Sequence, residues 1–155
     1  MAVNSAADMR AAVEAHRDAA DVIVMAAAVA DFRPAHPADN KIKKDAGVPT
    51  IELEPTEDIL RGLGEAKRPG QVLVGFAAET DDVVVNAASK LQRKNLDLIV
   101  ANDVSAPGVG FDHDTNAVTI VGPAGPVAEI PLSSKSDVAR ALLDAVVARL
   151  PRSNP

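Results

Sequence analysis

The order of apolar and polar positions along the chain alternates between two patterns, one typical of strands and one typical of helices. Residues 21–28, 71–76 and 96–101 are apolar almost without interruption, as strands are when helices cover both faces of a parallel sheet. Apolar residues recur at helical spacing over residues 5–18, 56–66 and 80–94, and again from about residue 134. This alternation predicts an α/β fold, a three-layer sandwich with a mostly parallel sheet between helices.

Capping residues predict where these helices begin and end. Ser5, followed three residues later by Asp8, resembles a capping box. Thr56 and Thr80 are predicted N-caps, because each is followed by two acidic residues that suit the positive end of a helix. Asn95 is predicted to end the third helix.

Segments that show neither pattern are predicted to be connections and small β elements. Residues 32–47 contain two prolines and are predicted to form a long loop, followed by a short edge strand at residues 48–54. Residues 116–121 and 127–130 are predicted to pair as a hairpin, which adds a small antiparallel β appendage. Residues 1–150 then form a single domain, and residues 151–155 a disordered tail.

Composition excludes several classes of function. The chain has 155 residues, a net charge of −6 and only 2% aromatic residues, so it suits neither a polyanion nor the stacked bases of a single-stranded nucleic acid. It contains no cysteine, which excludes disulfides and thiolate nucleophiles and fits a reducing cytoplasm. No apolar run is long enough to span a bilayer, so a cytoplasmic protein without membrane or nucleic-acid partners is expected.

Lysines are the most informative polar residues. Lys41, Lys43 and Lys44 lie within four residues of one another in the predicted loop. Lys90 and Lys94 share one face of the third helix. Each cluster has an ordinary interpretation as solvated charge, but two cationic clusters near one sheet edge favour a polyphosphate ligand.

Polar residues also follow the predicted strands, where ligands collect in parallel sheets. Asp31, Glu79 and Asn102 are expected around one crevice, where Asp31 either ends a strand, contacts a ribose or base, or lies beside a phosphate-bound metal. The predicted helix start at residues 56–59 offers amide groups to a nucleotide. Phe76 and Phe111 are predicted to be core residues. The three histidines have no metal-site spacing, and no Walker loop, nucleophile elbow or dinucleotide fingerprint is present.

Five motifs in order give the chain a family resemblance. They are AAVADFR at 27–33, NKIKK at 40–44, VGFAAET at 74–80, RKNLDLIVAND at 93–103 and GFDHDTNA at 110–117. Together they resemble phosphopantothenate–cysteine ligase, which in bacteria often forms the C-terminal half of a bifunctional coenzyme A biosynthesis protein behind a flavin-dependent decarboxylase domain. The resemblance covers residues 20–150.

The resemblance implies a Rossmann-like homodimer that uses CTP and Mg²⁺ to activate the carboxylate of 4′-phosphopantothenate as an acyl-cytidylate, which the amine of cysteine then attacks. It implies a catalytic role for Lys41 on a mobile flap. It also implies that nucleotide-binding positions are Ala27, Asp31, Lys41, Thr56, Glu57, Asp58, Ile59, Phe76, Lys90 and Lys94. The family often has Asn-Pro where this chain has Thr56-Glu57.

The chain departs from this family at its start. Family members begin with a strand, a glycine-rich turn and a segment resembling Asn-x-Ser-Ser-Gly-Lys-Met-Gly, and none of these precedes Ser5. We therefore expect a truncated domain that keeps part of the nucleotide site and turns over poorly alone. Two alternatives stay open: another Rossmann-like nucleotide-dependent enzyme, and a non-catalytic module that dimerises or binds a nucleotide.

Overall fold

The computed structural model describes residues 1–38, 40–43, 47–79, 81–103 and 113–151. Within this part of the chain, the helices are α1 (Ala6–Arg17), α2 (Ile59–Glu65), α3 (Val83–Arg93) and α4 (Lys135–Val147). The strands are β1 (Val22–Met25), β2 (Phe32–Pro34), β3 (Leu53–Pro55), β4 (Val72–Glu79), β5 (Leu98–Asp103), β6 (Thr115–Gly122) and β7 (Gly125–Ser134). None of the helices in the described part has the length and apolar character needed to cross a bilayer.

Five strands form the main sheet in the order β1-β4-β5-β6-β7. The pairs β1–β4 and β4–β5 are parallel, whereas β5–β6 and β6–β7 are antiparallel, so only β6 runs against the others. The predicted hairpin is confirmed as β6 and β7, and it extends the main sheet. A separate two-stranded antiparallel sheet is formed by β2 and β3. The predicted α/β class with a mostly parallel sheet is therefore confirmed.

Alternate side chains of the central strands pack into two hydrophobic cores, one on each face of the sheet. Leu73 and Ala77 of β4 join a cluster that packs under α1, α2 and α3, whereas Val72 and Val74 join a second cluster that packs under α4. Leu98 and Ile99 of β5 divide between the two clusters in the same way. This period-2 division explains why the central strands read as continuous apolar runs.

A buried amide fixes α1 against the start of β4. Gln71 is 8% exposed, and its Nε2 donates to the carbonyl oxygens of Arg17 (2.8 Å) and Ala20 (2.7 Å). The side chain thus connects the last residue of α1 and the turn that follows it to the residue before β4. It sets the position of α1 relative to the sheet.

Three strand predictions need correction. Residues 32–34 lie in β2 and not in a loop, because Pro34 occupies the last position of a two-stranded sheet whose ladder continues through the amide of Ala35 to Glu52 (2.9 Å). The predicted edge strand at 48–54 is confined to β3. The first predicted strand is only partly covered: Ile23 packs against one core and Val22 against the other, but Val24 is 40% exposed. Among the described strands β1 pairs with β4 alone, so it is an edge strand.

Helix ends follow the predicted caps in part. Ser5 and Asp8 form the predicted capping box, and Ser134 caps α4 through the amide of Asp137 (3.1 Å). Thr56 is not a cap, since Asp58 is the N-cap of α2 and accepts from the amide of Arg61 (3.0 Å). Asn95 ends the α3 region with a φ of 51°, as predicted. The predicted cap at Thr80 is wrong as well, since the N-cap of α3 is Asp82, which has a φ of 44° and makes no side-chain cap hydrogen bond. Thr80, Lys44, Phe111 and residues 152–155 themselves lie outside the described residues.

Candidate functional site

A cleft of about 370 Å³ opens at the carboxyl ends of β1 and β4. Its walls come from the end of β1 and the segment after it, from residues 56–60, from the last part of β4 and from α3. The lining residues are Met25, residues 27–31, residues 56–60, residues 76–78, Lys90 and Lys94. Both the size and the position suit a small-molecule site in an α/β sheet.

Nine of the ten residues predicted for the site line this single cleft. They are Ala27, Asp31, Thr56, Glu57, Asp58, Ile59, Phe76, Lys90 and Lys94. Lys41 is exposed and is not among the residues that line the cleft. Its predicted contact with phosphates stays a prediction.

Two hydrogen bonds from Thr56 join opposite segments of the cleft wall. Its hydroxyl donates to the carbonyl oxygen of Ala30, and its backbone amide donates to the carbonyl oxygen of Asp31 (2.8 Å). The threonine was predicted as a helix cap, but its side chain is committed to the segment that follows β1. The wall at residues 27–31 and the wall at residues 56–59 are therefore tied together.

Asp58 combines two roles at the edge of the cleft. Besides capping α2, its carboxylate pairs with Lys94 Nζ at 2.9 Å. Burial is the largest single influence and raises the pKa of Asp58, but the hydrogen bonds from Lys94 and from the Arg61 amide, with the charges of both residues, outweigh it and lower the pKa overall. The carboxylate is therefore ionised at neutral pH, and Lys94 lines the cleft as the ion-pair partner of Asp58.

Asp58→Asn is expected to reduce stability at neutral pH and to lose that deficit in acid. Because the folded pKa of Asp58 is lowered, its stabilising effect is complete above the unfolded pKa and disappears as pH falls through the folded value. Asparagine caps helices about as well as aspartate, so the deficit should reflect the ion pair, about 0.2–1 kcal/mol. Urea unfolding of both proteins between pH 7 and pH 3 measures the difference in their free energies of unfolding. A difference that stays constant with pH would contradict this account.

Lys90 is held by a second acid, behind the cleft wall. Its Nζ lies 2.6 Å from Glu79 Oε1. The Glu79 side chain is 12% exposed, whereas that of Lys90 is 37% exposed, and only the lysine lines the cleft. The two cleft lysines thus have different counter-ions, one largely covered by protein and one on the cleft surface.

Phe76 corrects the prediction that it is a core residue. The side chain is 38% exposed and lines the cleft. It shares a strand face with Val72 and Val74, which are buried under α4, but the last part of β4 extends beyond that cover. An exposed ring at a cleft wall can pack against a sugar or a base.

The three polar residues expected around one crevice separate in the structure. Asp31 is exposed and lines the cleft. Glu79 reaches the cleft only through Lys90. Asn102 lies inside β5, paired with Ala78 and Val118, and is not a lining residue.

A larger groove of about 490 Å³ lies between α1 and β1. Its lining is mostly apolar and includes Met9, Val13, Ile23 and Val24. In the part of the chain that the structure describes, Arg17 is the one lysine, arginine or acid that lines this groove, whereas two lysines and three acids line the cleft. The cleft is therefore the better candidate for polar chemistry.

The pairing of the cleft lysines with acids was missed by sequence reasoning. Helical spacing revealed that Lys90 and Lys94 share a face, but their partners lie on β4 and at the start of α2. Glu79 was noticed only as a polar residue after a strand. The pair of Glu79 and Lys90 could have been predicted from the alternation of β4. Glu79 follows Leu73 and Ala77 on the strand face that packs against α3, the helix that carries Lys90.

Comparisons with known proteins agree with the motifs. Residues 1–150 match the family model of the DNA/pantothenate metabolism flavoprotein C-terminal domain. The chain is 53% identical over 146 residues to the coenzyme A biosynthesis bifunctional protein CoaBC of Bacillus subtilis (strain 168), covering 94% of this chain and 36% of that protein. It is 51% identical over 138 residues to a cysteine/cysteine sulfinic acid decarboxylase of an unknown prokaryotic organism, covering 88% and 38%.

A solved structure supports the same relationship. The crystal structure of the C-terminal domain of the coenzyme A biosynthesis bifunctional protein CoaBC superposes with a TM-score of 0.73 at 43% identity, over 93% of this chain and 62% of that one. The chain spans somewhat more than a third of the length of the two curated relatives. With its fold, its motifs and a family match over residues 1–150, this chain belongs to the family of the DNA/pantothenate metabolism flavoprotein C-terminal domain.

Proposed function

We propose that this chain carries the ligase site of a coenzyme A biosynthesis protein, which uses CTP to join 4′-phosphopantothenate to cysteine. The observation that carries the proposal is the cleft, where nine residues that the resemblance implies for nucleotide binding come together from four separate segments of the chain. The motifs and the relatives named for coenzyme A biosynthesis support the same reaction.

In the proposed reaction, the carboxylate of phosphopantothenate attacks the α-phosphorus of CTP and pyrophosphate leaves. The amine of cysteine then attacks the acyl carbon, CMP leaves and an amide forms. Negative charge builds up on the pyrophosphate oxygens in the first step. Lys90 and Lys94 supply fixed cations at the cleft wall for this charge, and holding the reactants together supplies much of the remaining rate enhancement.

The cleft also fits the Mg²⁺ that we propose accompanies the nucleotide. Magnesium is usually held by one or two carboxylates together with substrate phosphates, and not by a protein cage. Asp31 provides an exposed carboxylate in the cleft, and the described residues contain no group of three metal-binding side chains. Asp31 is the residue that would hold the ion, which would neutralise phosphate charge.

Lys41 completes the proposed site as a residue of a closing flap. It is exposed in this structure and lies outside the cleft lining. Closure over a bound nucleotide would bring its ammonium group to the phosphates. Substitution of Lys41 by alanine tests this role.

Titration calorimetry with CTP, ATP and NAD tests the nucleotide proposal in the 155-residue chain. Preference for CTP is the expected result. Preference for NAD would favour another Rossmann-like enzyme, and absence of binding would favour a non-catalytic module or a fragment that has lost its site. Release of pyrophosphate with CTP, phosphopantothenate and cysteine tests the chemistry, and release of CO₂ from cysteine or its sulfinic acid without pyrophosphate would favour a decarboxylase instead.

We further propose a homodimer through the two-stranded sheet. Apolar side chains on this sheet and beside it are exposed, including Phe32 (60%), Leu53 (57%) and Ile51 (67%), and adjacent apolar exposure of this kind is typical of interaction surfaces. Sedimentation equilibrium should give twice the chain mass of 16.0 kDa, and a monomer at all concentrations would contradict it. In the full protein, we propose a flavin-dependent decarboxylase domain upstream.

A further inference from the structure

We propose that Glu79 is a positioning residue of the nucleotide site, which holds the ammonium group of Lys90 at the cleft wall. This inference rests on the proposed function in one respect, which is that the ligand of the cleft carries a polyphosphate. Glu79 does not line the cleft and so acts through the lysine. Its effect should fall on the phosphates of the ligand and not on the base.

The position of Glu79 follows from the alternation of β4. Leu73 and Ala77 face the core beneath α3, so Glu79, two residues after Ala77, continues the same row at the end of the strand. On α3, Ala87 and Leu91 are buried in that core. Lys90 lies between these two residues in sequence, on the part of α3 that packs against β4, and its side chain reaches Glu79 at the end of that strand.

The contact is close and asymmetric in exposure. Lys90 Nζ and Glu79 Oε1 are 2.6 Å apart, a charge-assisted hydrogen bond. The acid is 12% exposed and the lysine 37%, so the acid is the fixed partner. An ammonium group has three donors, and one bond to Glu79 leaves two for an anion in the cleft.

A lysine without this partner would be poorly fixed. Its flexible four-carbon stem carries rotamer entropy, part of which a ligand would then have to remove on binding. Lys94 lies one helical turn away and repels Lys90, which further favours orientations into solvent. The carboxylate of Glu79 reduces both effects before a ligand arrives, which is preorganisation.

The other acid of the site makes a useful contrast. Asp58 lines the cleft itself and its side chain is 44% exposed, so it faces the ligand and repels a polyanion as well as holding Lys94. Glu79 is behind its lysine. Removal of the charge should therefore weaken polyphosphate binding at Glu79, whereas at Asp58 the gain from lost repulsion offsets the loss.

The test measures calorimetric binding of inorganic tripolyphosphate, CTP and cytidine to the 155-residue chain and to Glu79→Gln. We expect about tenfold weaker binding of tripolyphosphate and of CTP, the scale of one charge-assisted hydrogen bond, with cytidine binding unchanged. Lys90→Ala combined with Glu79→Gln should bind no worse than Lys90→Ala alone. Glu129→Gln is the matched control, because it removes the same charge from an exposed site on β7.

Each outcome decides the matter. Equal or tighter tripolyphosphate binding by Glu79→Gln, or additive losses in the double variant, overturns the inference. Equal losses for cytidine and CTP would indicate general damage and also overturn it, with melting temperatures as a check on folding. If tripolyphosphate binding depends on Glu79 while CTP shows no preference over ATP, the CTP proposal fails and the role of Glu79 stands; a chain that binds neither polyphosphate overturns both.

Discussion

Gly64→Ala is expected to destabilise the protein by about 2 kcal/mol or more, the usual scale for overpacking. A Cβ atom at this position would lie 1.8 Å from the carbonyl oxygen of Lys94 and 2.8 Å from its carbonyl carbon. Both are backbone atoms, so the clash cannot be relieved by a rotamer change. Asn95 Nδ2 also donates to the carbonyl oxygen of Gly64 (2.8 Å), which fixes the close approach of α2 to the end of α3.

The same substitution should impair the cleft, because Lys94 must move away. Urea unfolding measures the stability change, and calorimetry with CTP measures the binding change. Gly62→Ala is the matched control on α2, with no atom within 4 Å of its added Cβ, and it should stabilise the helix by about 0.5–1 kcal/mol. If Gly64→Ala proves as stable as Gly62→Ala, the packing of α2 against Lys94 is wrong.

Lys90→Ala and Lys94→Ala should each weaken CTP binding by about 1–3 kcal/mol, which corresponds to roughly fivefold to 150-fold in Kd. Each removes a cation that lines the cleft. Lys41→Ala should have a similar effect if the flap closes on phosphates. Calorimetry in buffers of two ionic strengths measures the losses, and the salt dependence of binding should decrease in each variant.

Arg93→Ala is the control for this series. Arg93 lies next to Lys94 at the end of α3 and is exposed, but it does not line the cleft. Removing its charge should change the CTP affinity little. Binding that survives Lys90→Ala and Lys94→Ala unchanged would refute the phosphate assignment, whatever the control shows.

Periodicity predicted the elements that bury a complete face. Apolar spacing from about residue 134 predicted a helix with Val138, Leu142, Val146 and Leu150 on one face. The first three side chains are buried in α4, whereas Leu150 lies beyond its end at Val147. The β6–β7 hairpin was equally clear from its glycine- and proline-rich turn. In both cases local pattern and tertiary burial point to the same answer.

Residues with competing uses were harder to assign. Thr56 has the side chain of a helix cap, but its hydroxyl donates to Ala30, 26 residues away, and no local pattern contains that partner. Phe76 belongs to an apolar run yet lies beyond the cover of α4. The predicted site residues came from family motifs; their convergence on one cleft depends on the crossover that places β1 beside β4.

The bonds from Thr56 to Ala30 and Asp31 have a thermodynamic consequence for recognition. Two loops that would otherwise fluctuate independently are coupled before any nucleotide arrives, so folding has already restricted their motion. Nucleotide binding then costs less conformational entropy in the protein, which leaves a more favourable free energy of binding. Thr56→Val, which keeps the shape but lacks the hydroxyl donor, should make nucleotide association slower and its entropy more unfavourable, because the two segments would then be ordered only on binding.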